Sequence, residues 1–237
     1  MLPVQNRAML GGSTIGTMTL VDGLTLFADD EAGWKRTLEL EERGGEMVRL
    51  AEKFGGCPDN AAQQFARQLL IDIEAWKGMC MRERMVNAIQ NPLESVWAAF
   101  YGAVIGKTDL TKIRAIMVLK GFGGSEDEET GMRRAKVASS VLRFLYPKEW
   151  GVVDWRTLAI RSALRRCNSD VDRALEAARP DDAATMRALF DLIDEHAVCD
   201  EVLAYRQMRT AAPLSRAADI DMALFGLSLS VWRLPQI

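Results

Sequence analysis

No stretch of this chain approaches 18 uninterrupted apolar residues, so a membrane-spanning helix is not expected. Clustered thiolates are missing too. The four cysteines, Cys57, Cys80, Cys167 and Cys199, lie far apart and form no Cys-x-x-Cys pair, which argues against a structural zinc or iron–sulfur site. The single histidine, His196, falls in an amphipathic stretch and reads as a structural or surface residue, not a ligand. A Gly-Gly-Ser-Thr run at 11–14 is followed by no Gly-Lys-Ser/Thr, so it is no nucleotide phosphate loop. There is no repeat period and no low-complexity tract. Met1-Leu-Pro-Val-Gln-Asn-Arg7 has no basic region leading into an apolar one, so no secretory leader is expected.

What is present suits a globular protein. The 237 residues are 49% hydrophobic, enough to bury the core of one large domain or two small lobes. Charged residues make up 27%, with hydrophobic content too high for wholesale disorder. The net charge of −3 hides a strong asymmetry. Residues 1–100 carry 10 basic and 14 acidic groups, and residues 167–237 carry 7 and 12. Between them, residues 101–166 carry 13 basic and 7 acidic groups, for +6. A local basic face, not a basic protein, is what counterion release at phosphates requires. Ordinary solvated helix faces would give the same count.

Residues 1–30 read as an arm. Thr17 to Phe27 alternates polar and apolar residues around Asp22-Gly23, which predicts a short β-hairpin with a type I′ turn. From residue 31 onward the spacing of apolar residues is helical almost throughout. Helices are predicted over about 31–53, 60–77, 80–90, 92–105, 109–119, 127–146, 155–166, 169–178, 181–209 and 214–232. Breaks fall at Gly55-Gly56, Asn91-Pro92, Gly121 to Gly124, Pro147, Pro180 and Pro213. The class is all-α with a small N-terminal β-hairpin arm.

Three features in the basic segment stand in a suggestive order. Asp109 is predicted to cap a helix carrying Ile113, Ile116, Met117 and Leu119, which ends at Lys120-Gly-Phe-Gly-Gly124. Such a turn leaves backbone N–H groups open to a phosphate and its carbonyls open to a monovalent cation, although most Gly-x-Gly runs are helix C-caps. The next helix buries Ala135, Ala138, Leu142 and Leu145, with Lys136 about 100° around from that stripe. Ser140 and Arg143 share the Lys136 face, with Ser139 beside them, so small side chains are expected to leave room near the amine. Pro147 ends this helix, and Gly151-Val-Val-Asp154 leads into another with Asp154 as N-cap. Singly, a helix lysine is ordinary and so is an aspartate cap. Together they give a phosphate-gripping turn, an amine and a carboxylate, with Lys136 and Asp154 lying 18 residues apart.

These stretches, Leu119-Lys-Gly-Phe-Gly123, Lys136-Val-Ala138 and Val152-Val-Asp-Trp155, resemble the 8-oxoguanine DNA glycosylases of the helix-hairpin-helix superfamily. That family shows Leu-Pro-Gly-Val-Gly, Lys-Val-Ala and Pro-Val-Asp-Val in the same order. Lys120 stands where the family has its hairpin proline. Lys136 follows Gly123 by 13 residues, farther than in the usual hairpin. The extra residues, about eleven, make close to three whole helical turns and so preserve the facing of Lys136. A lengthened hairpin is similar to the archaeal branch and to bacterial relatives, some of which resemble anti-phage enzymes that remove glucosylated cytosines. The match covers about residues 109–160 and is architectural elsewhere.

The resemblance implies a two-lobed helix-hairpin-helix glycosylase fold over 31–237, after the 1–30 arm. One lobe would be 59–166, the other 31–58 plus 167–237. It implies Lys136 as Schiff-base nucleophile and Asp154 as catalytic carboxylate. Lys120, Gly121, Gly123 and Arg133 would bind the DNA backbone, and Trp155 would contribute to the base pocket. A lysine ammonium is no nucleophile, so the amine must be desolvated or placed near cations, for which Arg133, Arg134 and Arg143 are candidates. The carboxylate would stabilise positive charge growing on the sugar while the target base is held out of the stack. The expected partner is double-stranded DNA bearing a modified base, bound by a monomer in the cytoplasm at the nucleoid. No metal and no required cofactor are expected, with a monovalent cation at the hairpin as an option. A non-catalytic helix-hairpin-helix DNA-binding module needs the hairpin without the lysine–aspartate pair. A helical scaffold with no DNA role leaves the basic segment unexplained.

Overall fold

A computed structural model describes residues 18–77, 87–123, 135–178, 193–211 and 214–232. Among these residues every regular element is an α-helix. In chain order they are α1 (Leu20–Ala28), α2 (Glu31–Phe54), α3 (Asn60–Trp76), α4 (Asn87–Gln90), α5 (Leu93–Ile105) and α6 (Asp109–Met117). There follow α7 (Ala135–Leu145), α8 (Trp155–Arg166), α9 (Val171–Ala177), α10 (Glu195–Ala211) and α11 (Ala217–Val231). Among the described residues no helix is long and apolar enough to cross a membrane.

The starts are set by short polar side chains. Asp30 accepts from the Gly33 N–H, Asp59 from Ala62 and Asp170 from Arg173, each satisfying one of the orphan donors of a first turn. Helix α6 is capped by Thr108 and not by Asp109 as expected. Asp109 becomes the first helical residue instead, and its carboxylate takes a two-pronged contact from Arg206 of α10 at 2.7 and 2.9 Å. The expected 181–209 helix does not run through 193–194. Asp194 is non-helical and accepts from the Ala197 N–H at 2.9 Å, so α10 begins at Glu195.

The β-hairpin expected around Asp22-Gly23 is also a helix. Thr19 and Asp22 form a capping box, the Thr19 N–H donating to Asp22 at 2.8 Å, so the aspartate that looked like a turn residue is a capping partner. The glycine serves packing. A Cβ on Gly23 would lie 2.3 Å from the Ala223 carbonyl oxygen, and one on Gly226 would lie 1.9 Å from the Gly23 carbonyl oxygen. Helices α1 and α11 therefore cross backbone to backbone through two glycines.

Helix α7 is the axis of the molecule. All of its residues except Lys136 are buried, because α2, α3, α6 and α10 pack around it. The Trp76 ring meets the Phe144 ring edge-on at 4.9 Å, while its indole N–H donates to Thr37 at 2.9 Å. The buried faces of the helices merge into one apolar cluster that includes Met47, Leu69, Phe100, Ile113, Val141, Trp150 and Leu227. The segment 146–154 leaves the end of α7 and delivers Asp154 to the start of α8 at the edge of this core.

Candidate functional site

The glycine turn after α6 is built as its sequence demands. Gly121 has φ 85° and Gly123 φ 128°, the left-handed region that side-chain-bearing residues rarely adopt. Leu119 and Phe122 anchor the turn in the core, and the Phe122 N–H donates to the Leu119 carbonyl at 3.0 Å. Asn91, just before α5, clamps the backbone from outside. The Lys120 N–H donates to Asn91 Oδ1 at 2.8 Å, and Asn91 Nδ2 donates to the Lys120 carbonyl at 3.2 Å. The backbone of Lys120 is thus fixed while its side chain is exposed. Arg133 and Arg134, expected to add positive charge here, lie outside the described residues.

Asp154 is the N-cap of α8, with φ −131° and ψ 155°. Three acceptors from three helices hold the strand-like approach to it. The Val152 N–H donates to Asp221 of α11 at 2.7 Å, the Val153 N–H to Ser139 of α7 at 3.0 Å, and the Asp154 N–H to Thr157 of α8 at 3.1 Å. Tyr205 of α10 brings its hydroxyl within 2.9 Å of the Thr157 hydroxyl. One carboxylate oxygen accepts from the Arg156 N–H at 3.2 Å, and the other faces the Lys77 ammonium at 3.1 Å. Burial pushes the Asp154 carboxyl up, but the Lys77 charge, the Arg156 N–H and the Arg156 charge outweigh it, leaving the group below the usual carboxylate range.

Lys136 sits half-buried in the first described turn of α7. Its backbone is tied to the Asp154 approach, since Ser139 Oγ donates to the Lys136 carbonyl at 2.6 Å and accepts from Val153. The face expected to be open beside it is not. Ser139, Ser140 and Arg143 are fully buried because neighbouring helices cover α7 on several sides. Nor is Arg143 available as a cation for Lys136. It pairs with Glu41 at 2.9 Å and Asp221 at 3.5 Å and packs over the Phe144 and Trp76 rings.

Trp155 is half-buried against Trp232, ring centroids 5.2 Å apart, with the Arg156 guanidinium 4.8 Å from its ring centre. Among the described residues of the basic segment, some cations are tied up within the protein and others are exposed. Arg143, Arg114 and Arg161 are committed to ion pairs with carboxylates of α2, α10 and α11. Lys107, Lys120, Lys148, Arg165 and Arg166 have exposed side chains. No group of His, Cys, Asp and Glu that could hold a metal ion occurs among the described residues.

Lys77, Asn91 and Asp221 escape a sequence reading. Each stands in an unexceptional context, and their partners lie far along the chain; Lys77 and Asp154 are 77 residues apart. A lysine ending a helix is what the helix dipole favours anyway, so nothing in the sequence marks Lys77 as special. Comparison with family models finds no match, and neither the curated proteins nor the solved structures give a significant one.

Proposed function

We propose that the protein is a DNA N-glycosylase. It flips a modified base out of double-stranded DNA and excises it, with Lys136 as Schiff-base nucleophile and Asp154 as the carboxylate that stabilises charge on the sugar. The base is oxidised guanine or a hypermodified phage base such as glucosylated hydroxymethylcytosine. The Schiff base can continue to β-elimination of the 3′ phosphate. In this reading Lys120, Gly121 and Gly123 grip the backbone, Arg133 adds charge, Trp155 borders the base pocket, and a monovalent cation can sit on the hairpin carbonyls. The protein acts as a monomer on DNA in the cytoplasm, with lobes 59–166 and 31–58 plus 167–237.

One observation carries the reading. An ionised carboxylate caps α8, and its approach is tied through Ser139 to the turn of α7 that bears Lys136. The left-handed glycines of a clamped turn after α6 add to it. Helix N-terminal amides hold a carboxylate ionised and aimed, as charge stabilisation at a sugar needs. The test is a panel of duplexes carrying oxidised guanine, uracil, alkylated bases or glucosylated hydroxymethylcytosine, incubated with and without borohydride. One duplex should give a trapped covalent adduct that Lys136→Gln abolishes while leaving duplex affinity largely intact. If Lys136→Gln cuts as fast as the wild type, the nucleophile is wrongly assigned.

A second reading draws on the same carboxylate. Both Asp154 oxygens are engaged within the protein, as in a purely structural cap, and this favours a non-catalytic helix-hairpin-helix DNA-binding module. A gel shift without base release on any duplex of the panel would select it.

A further inference from the structure

We propose that Lys77 is a positioning residue for the candidate catalytic carboxylate, its ammonium holding Asp154 aimed and free of a proton before DNA binds. The proposal rests on the glycosylase reading. Lys77 is the C-cap of α3, its own N–H returned to the Ile73 carbonyl at 2.9 Å, so the side chain springs from a fixed backbone. From there it reaches Asp154 at 3.1 Å, with only 17% and 19% of the two side chains exposed. Bringing two charges out of water is costly, and an N-cap aspartate already has a backbone donor to satisfy it. The cap alone does not call for a lysine.

What the second contact adds is rotation. With one oxygen on the Arg156 N–H and the other on Lys77, the carboxylate plane is fixed at two points. The charges that act on it come from α3 and α8, and the uncharged Tyr205 of α10 lies behind Thr157. Lys77 arrives from α3 and Arg156 from α8, while Asp221 of α11, with Arg143 of α7 and Glu41 of α2, stands behind Val152. Lys77 acts on Asp221 as well as on Asp154, so it serves both acids flanking this segment. An anionic Asp154 is needed when the sugar becomes cationic, and Lys77 keeps it anionic as the pH falls.

The test compares Lys77→Met and Lys77→Arg with the wild type on the duplex identified above. In single-turnover base release, protonation of the attacking Lys136 sets the first acid limb, and a second, steeper limb at lower pH reports protonation of Asp154. Lys77→Met should move that limb upward by about one to three pH units. Lys77→Arg should keep it near the wild-type position. Borohydride trapping should persist in both variants, and duplex affinity should stay within about twofold, because neither change removes the proposed nucleophile or the hairpin. A limb that stays put in Lys77→Met, or moves equally in both variants, overturns the proposal. So does loss of the trapped adduct in Lys77→Met with its retention in Lys136→Gln, which would make Lys77 the nucleophile. Failure of the glycosylase reading is separable. If the wild type releases no base, an NMR titration of the Asp154 carboxyl in DNA-free protein still decides the matter. A higher titration point in Lys77→Met but not in Lys77→Arg supports the hold of Lys77, and identical points in all three proteins overturn it.

Discussion

Asp154 caps α8 and, under the proposed function, also stabilises charge on the sugar, and a single atom's change separates the two roles. Asparagine caps a helix nearly as well as aspartate, so α8 should survive Asp154→Asn. The substitution does strand Lys77, whose mostly buried ammonium loses its partner, so a destabilisation of about 1–3 kcal/mol is expected at neutral pH. The sign of its pH dependence follows from the lowered carboxyl. A depressed folded-state group stabilises above its unfolded value, about 3.9, and that stability is lost as pH falls through the folded value. Wild type and variant should therefore converge in stability once the pH has fallen through the folded value, where the carboxylate is protonated in both states. Turnover should fall by about two to four orders of magnitude, because a neutral amide cannot offset a cationic sugar. Duplex affinity should hold or rise. A variant that excises like the wild type leaves Asp154 as a cap and nothing more.

The helices themselves were largely written in the apolar spacing, and their ends in Gly55, Pro92 and Pro147. The exception is instructive. Around α1, alternation and an Asp-Gly pair outweighed a capping box, because Gly23 looks like a turn until Gly226, some 200 residues on, is seen against it. Local patterns cannot reveal that a glycine is there for a neighbour's backbone. Gly226→Val tests this. Its side chain would fall on the Gly23 carbonyl, a backbone atom that cannot step aside, so α1 must leave α11. Overpacking of this kind costs about 1–3 kcal/mol. Hydrogen exchange should show amides of α1 losing protection in the variant while those of α7 keep theirs. Equal protection in α1 would mean that the crossing has slack. The glycine turn after α6 contrasts with α1, since Gly121 and Gly123 are needed for their own φ and are legible for that reason. The bracing residues Asn91 and Ser139 are not, because an asparagine after a short helix and a serine within one have many ordinary uses.

Across the whole molecule, the charge that composition places in residues 101–166 is partly internal. Arg143 is fully buried and joins α7 to Glu41 of α2 and Asp221 of α11; Arg216 binds Glu41 from its other side and Asp219 beside it. A count along the sequence cannot tell such a structural arginine from one that meets phosphate. The network also gives the fold a pH dependence opposite to that of Asp154. Burial pushes the Asp221 carboxyl up, and the Arg143 charge, the Val152 N–H and Lys77 only partly offset it, leaving it at about 7. A carboxyl raised in the folded state binds a proton more tightly there than when unfolded, so stability falls as pH rises from about 4 to about 7. Asp221→Asn keeps an acceptor for Val152 but cannot titrate, and should abolish this component. Urea unfolding at pH 4.5 and 7.5 provides the measurement. From pH 4.5 to pH 7.5 the variant should gain about 2–4 kcal/mol on the wild type, because only the wild type loses the stability that its raised carboxyl supplies at low pH. A wild-type-minus-variant difference that is the same at both pH values would mean that Asp221 is ionised throughout. The Arg143 pair would then hold its charge against burial, and the segment bearing Asp154 would be anchored by an ion pair and not by a proton.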